Sequence, residues 1–172
     1  MKVNTTVPEG GVTALRSLSD LLWHERDLLE SLQYRLEVEQ LLLSAGRTER
    51  IAIAAREVEE VLARTRTAEL ARAAEVAAVA AELGLPDGAS LLEIAEAAPP
   101  PWDALLREHR TAFLTLTTEV ATVAQSNRDL LAAAHHATQE TIMSLHDSGH
   151  VYDERGAPSR RTSDARLIDE SL

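Results

Sequence analysis

Apolar residues recur along this chain at alternating steps of three and four positions, in three separate stretches. In the first stretch leucine is twice replaced by glutamate: Leu15, Leu18, Leu22, Glu25, Leu29, Leu32, Leu36, Glu39 and Leu43. Residues spaced in this way lie on one face of a helix that packs against other helices. Gly46 is expected to end this helix, because glycine readily takes the left-handed conformation that often follows a helix.

The second stretch begins near Thr48 and stops at Leu83-Gly84-Leu85-Pro86, where a glycine is followed by a proline that cannot continue the helix. Its row is Ile51, Ala55, Val58, Leu62, Thr65, Glu69, Arg72, Val76, Val79 and Leu83. Because the connection at Gly46 is short, the first two helices are expected to form an antiparallel hairpin.

A short helix and the longest row follow. Ser90 and Glu93 match a capping box, S-x-x-E, which predicts a helix through Ala98. Three prolines at 99–101 break the chain, and the last helix is expected to begin there, because proline is tolerated in the first turn of a helix. The last row is Trp102, Leu106, His109, Phe113, Leu116, Val120, Val123, Asn127, Leu130, Ala134, Ala137, Thr141 and Leu145.

Composition agrees with this all-α interpretation. The chain has 172 residues, of which 45% are hydrophobic but only 3% aromatic, so its core must be aliphatic. We predict an antiparallel helical hairpin, a short connector helix and a long C-terminal helix, in a coiled-coil-like bundle with a disordered tail. The expected divisions are a flexible arm at 1–11, a helical bundle at 12–146 and a flexible tail at 147–172.

Charge and residue usage exclude several classes of protein. The formal net charge of −11 argues against nucleic acid as a partner, because a phosphate backbone needs a basic surface. The absence of cysteine excludes disulfides and thiolate chemistry. The N-terminal residues contain no apolar segment typical of a signal peptide, and no stretch is apolar enough for stable membrane insertion. A cytoplasmic location is therefore expected.

The histidines do not predict catalysis or a metal site. None of the six follows a glutamate by three residues, as a di-iron bundle requires. His146 and His150 have a ligand-like spacing of four, but Gly149 lies between them and argues against a site. No glycine-rich phosphate loop, G-x-S-x-G or H-E-x-x-H motif occurs. We predict a protein that is not an enzyme and has no cofactor.

Helix length predicts an uncovered surface. At about 1.5 Å per residue the first helix is roughly 50 Å long and the last nearly 70 Å. If the last helix runs beside the first, residues beyond about 134 have no internal partner. The apolar residues left uncovered are Ala134, Ala137, Ile142, Met143 and Leu145. Such a stripe is either a binding site for another protein or a contact between copies, and the spacing alone favours neither.

The two glutamates in the leucine row need partners, because an unpaired buried carboxylate is costly. Counting residues along the helices places Glu39 level with Asn127, and Glu25 level with Arg66 and Arg72. We therefore expect a contact between Glu39 and Asn127, and an arginine beside Glu25. The alternative is that both carboxylates lie at the edge of the row and point to water.

The order of these features resembles the FlgN-type flagellar export chaperones. The first helix, LLWHERDLLESLQYRLEVEQLLLSAG, is similar to that family's leucines with a glutamate repeated two heptads apart, here Glu25 and Glu39. Arg72, ELGL and SLLEIAE resemble its arginine, leucine-glycine stop and short helix, and QSNRDLLAAA resembles its asparagine-leucine stretch. VYDERG is similar to its tyrosine-to-glycine element, so that the resemblance covers about residues 14–156.

The resemblance implies a cytoplasmic chaperone that binds flagellar hook-associated proteins and delivers them to the type III export gate. Asn127, Leu130 and Leu131 match the motif on the helix expected to contact cargo, and Tyr152 matches the tail element. The expected partner-binding residues are Val123, Asn127, Leu130, Leu131, Ala134, Ile142 and Leu145. For Asn127, a role in setting the register of packed helices is the competing interpretation, and for Leu130 it is packing in the core.

Two other functions stay open. A structural coiled-coil module would form a symmetric homodimer through the last helix and have no role in export. A secreted helical hairpin would resemble a W-x-G turn, but Trp23 is followed by His24-Glu25 and Trp102 by Asp103-Ala104.

Overall fold

The computed structural model describes residues 9–149, with side chains from 10 to 146. Four α-helices and no strand occur in this range: α1 (Glu9–Ser44), α2 (Thr48–Glu82), α3 (Leu91–Ala97) and α4 (Trp102–Gly149). The predicted all-α class, with a hairpin, a short connector helix and a long last helix, is confirmed. The predicted tail beyond residue 149 lies outside the described residues.

Local sequence signals end the helices where expected. Gly46 has a φ of 64°, and Arg47 N donates to Leu42 O at 2.9 Å, which closes α1 as a Schellman motif. Gly84 has a φ of 68°, and Leu85 N donates to Ala80 O at 2.8 Å, which closes α2 in the same way. The capping box at α3 is also present, because the Ser90 hydroxyl accepts from Glu93 N while the Glu93 carboxylate accepts from Ser90 N.

Helix α1 begins directly after Pro8, three residues earlier than the sequence predicts. Gly10 and Gly11 therefore belong to the helix and not to an arm. A Cβ on Gly10 would lie 3.6 Å from Oε2 of Glu82, so the start of α1 is close to the end of α2. The last helix likewise runs to Gly149, three residues past the expected limit at 146.

The first two helices form the predicted antiparallel hairpin. Arg72 of α2 pairs with Glu25 near the middle of α1, and Arg35 pairs with Glu57 nearer the connecting turn. Every residue of the leucine row from Leu15 to Glu39 is buried, and Leu43 at its end is half-buried. Beside the row, Gly11, Ser19 and Leu28 are buried as well. The spacing of the row therefore predicts most of the buried face of α1.

Helix α4 packs against the hairpin parallel to α1. One apolar cluster joins all four helices through Leu15, Leu18 and Leu22 of α1, Val79 of α2, Ile94 of α3 and Leu106 of α4. A second cluster joins Leu32 and Leu36 to Val58 and Val61, with Val120 and Val123 of α4 packed on it. Truncating one of the fully buried leucines to alanine costs about 2–5 kcal/mol in cores of this kind.

The chain divides into two units, Met1–Leu130 and Leu131–Leu172. Unit 1 contains α1, α2, α3 and the first part of α4, and the described part of unit 2 is the remainder of α4. Among the described residues, no helix combines the length and the hydropathy that a membrane span requires.

Candidate partner-binding surface on α4

Asn127 fixes the position of α4 along α1. Its side-chain amide is buried and donates to Leu36 O and to Oε2 of Glu39, each at 2.9 Å. Next to it, the Gln40 side-chain amide donates to the Ser126 hydroxyl at 2.7 Å. The predicted contact between Glu39 and Asn127 is confirmed. Because these bonds have one geometry only, they specify a single register between the two helices.

Glu25 is the second polar contact inside the leucine row. Its side chain is only 4% exposed, and its Oε2 accepts from Nε of Arg72 at 2.6 Å. Burial raises the pKa of Glu25, the Arg72 guanidinium lowers it, and the neighbouring Glu69 raises it, with a net upward shift. The Arg72 guanidinium also lies 6.0 Å from the centre of the Phe113 ring. Of the two arginines expected near Glu25, Arg72 is therefore the partner, and it links α1, α2 and α4.

His109 occupies a buried place in the α4 row. Its ring meets the Trp23 ring edge-on, with 4.9 Å between centroids, and neither ring nitrogen has a hydrogen-bond partner among the described residues. Burial lowers the pKa of His109, and the positive charge of Arg26 lowers it further, against a smaller upward effect of Glu108. Arg26 in turn stacks over the indole of Trp23 at 4.6 Å. His109 is therefore a packing residue whose charged form is disfavoured by its surroundings.

The structure places the expected partner-binding residues in two different environments. Val123 is half-buried against the second apolar cluster, Asn127 is buried and bonded to α1, and Leu130 is half-buried. Leu131, the first residue of unit 2, is exposed. From there every side chain through His146 is exposed, including those of Ala134, Ile142 and Leu145.

The exposed stretch is nearly free of charge. Between residues 131 and 146 Glu140 is the single carboxylate, and neither lysine nor arginine occurs, although charged residues make up 26% of the chain. Glu140 lies 3.5 Å from Nδ1 of His136 one turn earlier. A helix surrounded by water normally carries charges on most of its surface, so this composition is typical of a surface that another molecule covers.

The large apolar side chains of this stretch share one face, with the exception of Met143; of the residues expected in the stripe, Ala137 and Met143 lie outside this face. At about 100° per residue, Leu130, Leu131, Ala134, Thr138, Thr141, Ile142 and Leu145 fall within an arc of roughly 120°. The hydroxyls of Thr138 and Thr141 donate to the carbonyls of Ala134 and Ala137, both at 2.9 Å. These hydroxyls are thereby satisfied by the backbone, which leaves the threonine methyl groups for contact. We call this set the 130–145 face.

The opposite side of the same stretch is polar. It presents His135, His136, Gln139, Glu140 and His146, with Met143 as its one large apolar side chain. Among the described residues no group of three or more histidines and carboxylates could hold a metal ion. His150, the predicted neighbour of His146, lies outside the described residues. With apolar side chains on one side and polar ones on the other, the 130–145 face is suited to bind the apolar face of another helix.

A family model described as FlgN protein matches residues 14–160. The chain belongs to the FlgN family. FlgN-family members are flagellar export chaperones, a family of chaperones and not of enzymes. No curated protein and no solved structure matches the chain.

Two features of this FlgN-family chain escaped the sequence analysis. The packing of His109 on Trp23 joins a row position to a residue just outside the leucine row, which spacing does not indicate. The contribution of Thr138 and Thr141 to an apolar surface depends on their hydroxyls bonding to the preceding turn. A signal for the second feature exists, because threonine inside a helix commonly bonds to the carbonyl four residues earlier.

Proposed function

We propose that this FlgN-family chain is a cytoplasmic chaperone that binds flagellar hook-associated proteins on the 130–145 face and delivers them to the flagellar type III export apparatus. The observation that carries the proposal is that every side chain from residue 131 to residue 146 is exposed, in a stretch that is rich in apolar residues and nearly uncharged. A surface of this kind fits the apolar face of a cargo helix laid against it. Family membership supports the flagellar role.

Within the proposal, the seven residues expected at the site have different tasks. Leu130, Leu131, Ala134, Ile142 and Leu145 contact the cargo. Val123 and Asn127 act from inside unit 1, where burial and hydrogen bonds to α1 occupy them, and they hold α4 in register.

The test compares two exposed apolar residues on opposite sides of the same helix. Leu145 is 66% exposed and belongs to the 130–145 face, whereas Met143 is 71% exposed and points away from it. Each is replaced by aspartate, and the purified variants are titrated with the hook-associated proteins of the same organism. Because burying a leucine side chain is worth about 1.5–3 kcal/mol, Leu145→Asp should weaken binding by at least about 10-fold.

Met143→Asp is the matched control and should bind within about twofold of wild type, since its side chain lies outside the contact. Circular dichroism should show unchanged helix content in both variants. Equal binding by Leu145→Asp and wild type would place the cargo elsewhere, and failure of the wild type to bind any hook-associated protein would refute the function itself.

A structural oligomerisation module is the alternative, favoured by the same uncharged face, which could equally pair with a second copy. It predicts a dimer whose mass by light scattering falls to the monomer in Leu145→Asp. It also predicts no change of that mass when a hook-associated protein is added.

A further inference from the structure

Besides the 130–145 face, unit 1 contains an apolar pocket of about 240 Å³ that is lined by residues of all four helices. Its apolar wall consists of Leu29 of α1, Leu91 of α3, and Phe113 and Leu114 of α4. Leu114 remains 54% exposed, unlike the leucines of the α1 row. The volume is below the roughly 300 Å³ at which small-molecule sites begin, and suits a single large side chain.

Four charged residues line this pocket, of which two form an ion pair with each other. Arg72 and Glu25 form an ion pair at 2.6 Å, and both residues line the pocket. Glu69 and Arg110 are the outer charges; both are exposed, and neither forms an ion pair among the described residues. An incoming group therefore meets an apolar centre with one free negative and one free positive charge beside it.

We infer that this pocket takes one apolar side chain from an amphipathic cargo helix, with a basic residue of that helix at Glu69 and an acidic one at Arg110. Helices built on three-four rows carry charges of both signs beside their apolar positions, so such a helix matches the pocket in shape and in charge. The inference rests on the proposed function and adds a second contact in unit 1 to the 130–145 face.

A unique thiol tests the contact, because the chain contains no cysteine. Leu114→Cys places a thiol at the pocket, and Tyr34→Cys places one on α1 at a similar exposure of 63%, away from the pocket lining. The rate of maleimide labelling is measured for each variant alone and in complex with the hook-associated protein. The complex should slow labelling of Leu114→Cys by at least about 10-fold and leave Tyr34→Cys unchanged.

A charge reversal gives a second measurement that does not alter the apolar wall. Arg110→Glu should weaken cargo binding by about threefold, as expected for loss of one exposed ion pair, and the effect should shrink at high salt. Arg107→Glu is the matched control, since Arg107 is an exposed arginine one turn earlier and does not line the pocket.

The outcomes separate the two proposals. If wild type binds no hook-associated protein, the proposed function fails, and the pocket contact fails with it. If the complex forms but Leu114→Cys labels as fast as in the free protein, or Arg110→Glu binds as tightly as Arg107→Glu, the pocket contact alone is refuted.

Discussion

Replacing Asn127 by alanine should destabilise the protein by about 2–3 kcal/mol. The change removes two buried hydrogen bonds, one to the Glu39 carboxylate and one to Leu36 O. A hydrogen bond to a charged group contributes about 1.5–3 kcal/mol and a neutral one about 1 kcal/mol. The higher helix propensity of alanine returns about 0.6 kcal/mol. Glu39 is only 8% exposed, so water cannot readily replace the lost donor.

Urea unfolding at neutral pH, followed by circular dichroism at 222 nm, measures this loss. For a chain of this size the predicted change corresponds to a fall in Tm of about 5–10 °C. Gln125→Ala is the control, because Gln125 is exposed and its side chain bonds only within α4: it donates to Asp129 at 2.9 Å and accepts from Arg128 at 2.6 Å. The control should change the free energy of unfolding by less than about 0.5 kcal/mol.

A double-mutant cycle with Glu39→Ala isolates the contact between the two side chains. The coupling energy should be about 1–2 kcal/mol, since the residues touch. The variant Glu39→Leu/Asn127→Leu should be about as stable as wild type, because packed apolar residues often replace a buried polar pair without loss. Its expected defect is one of specificity, seen as mixed oligomers in sedimentation. A coupling energy near zero would refute the view that this contact sets the register.

Three further predictions concern Arg72, His109 and Ser90, which all lie in unit 1. Arg72→Ala should lower the free energy of unfolding by about 2–3 kcal/mol at neutral pH, because it leaves the Glu25 carboxylate buried without its cation. This loss should shrink as the pH falls through the raised pKa of Glu25, because protonation removes the buried charge. Because the pKa of His109 is lowered in the folded protein, the unfolded chain binds more protons below pH 6.5. The free energy of unfolding should therefore fall on acidification, by at most about 1.4 kcal/mol per pH unit from this group. His109→Gln should abolish that part of the pH dependence, as measured by thermal unfolding between about pH 7 and 5. Ser90→Ala should cost about 1 kcal/mol in urea unfolding, since α3 loses its N-cap acceptor.

The contacts that the sequence predicted correctly follow from the fixed rise of a helix and from the short connection between α1 and α2. A helix rises by a fixed length per residue, and the connection at Gly46 is short, so the positions opposite Glu25 and Glu39 follow from counting. The leucines of the row mark most of the buried face of α1, although Leu28 is buried outside the row and Leu41 is exposed. For this reason Asn127 could be named from the sequence as the partner of Glu39, and Arg72 as one of two candidates, with Arg66, for the partner of Glu25.

The buried face of α2 was predicted less well, for a reason that lies in its composition. The row assigned to α2 included Ile51, Ala55 and Leu62, but the structure buries Ala54, Val61 and Ala68. Alanines occur on several sides of this helix, so no large side chain distinguishes the face that meets α1. Val58, Thr65 and Val79 belong to the predicted row and are buried as expected.

The start of α1 and the pocket at Leu114 depend on information that spacing does not contain. Glycine lowers helix propensity by about 1 kcal/mol, which led to the prediction of an arm through Gly11. In the structure both glycines lie in the first turn of α1, and Gly10 lies close to Glu82. The pocket combines residues from four helices, and its existence follows only from the way their side chains leave space.

The row of α4 continues past Leu130, but the charged residues on the other sides of the helix become rare after that point. Up to that point the helix carries charged residues on the sides that do not pack: Asp103, Arg107, Glu108, Arg110, Glu119, Arg128 and Asp129. Beyond it Glu140 is the single carboxylate in a stretch where every described side chain is exposed. Charges keep a helix surface in water, and their loss over four turns lowers the cost of covering that surface. The same row therefore serves the chain's own core before Leu130, and under the proposed function it makes the same kind of contact with a cargo helix after that point.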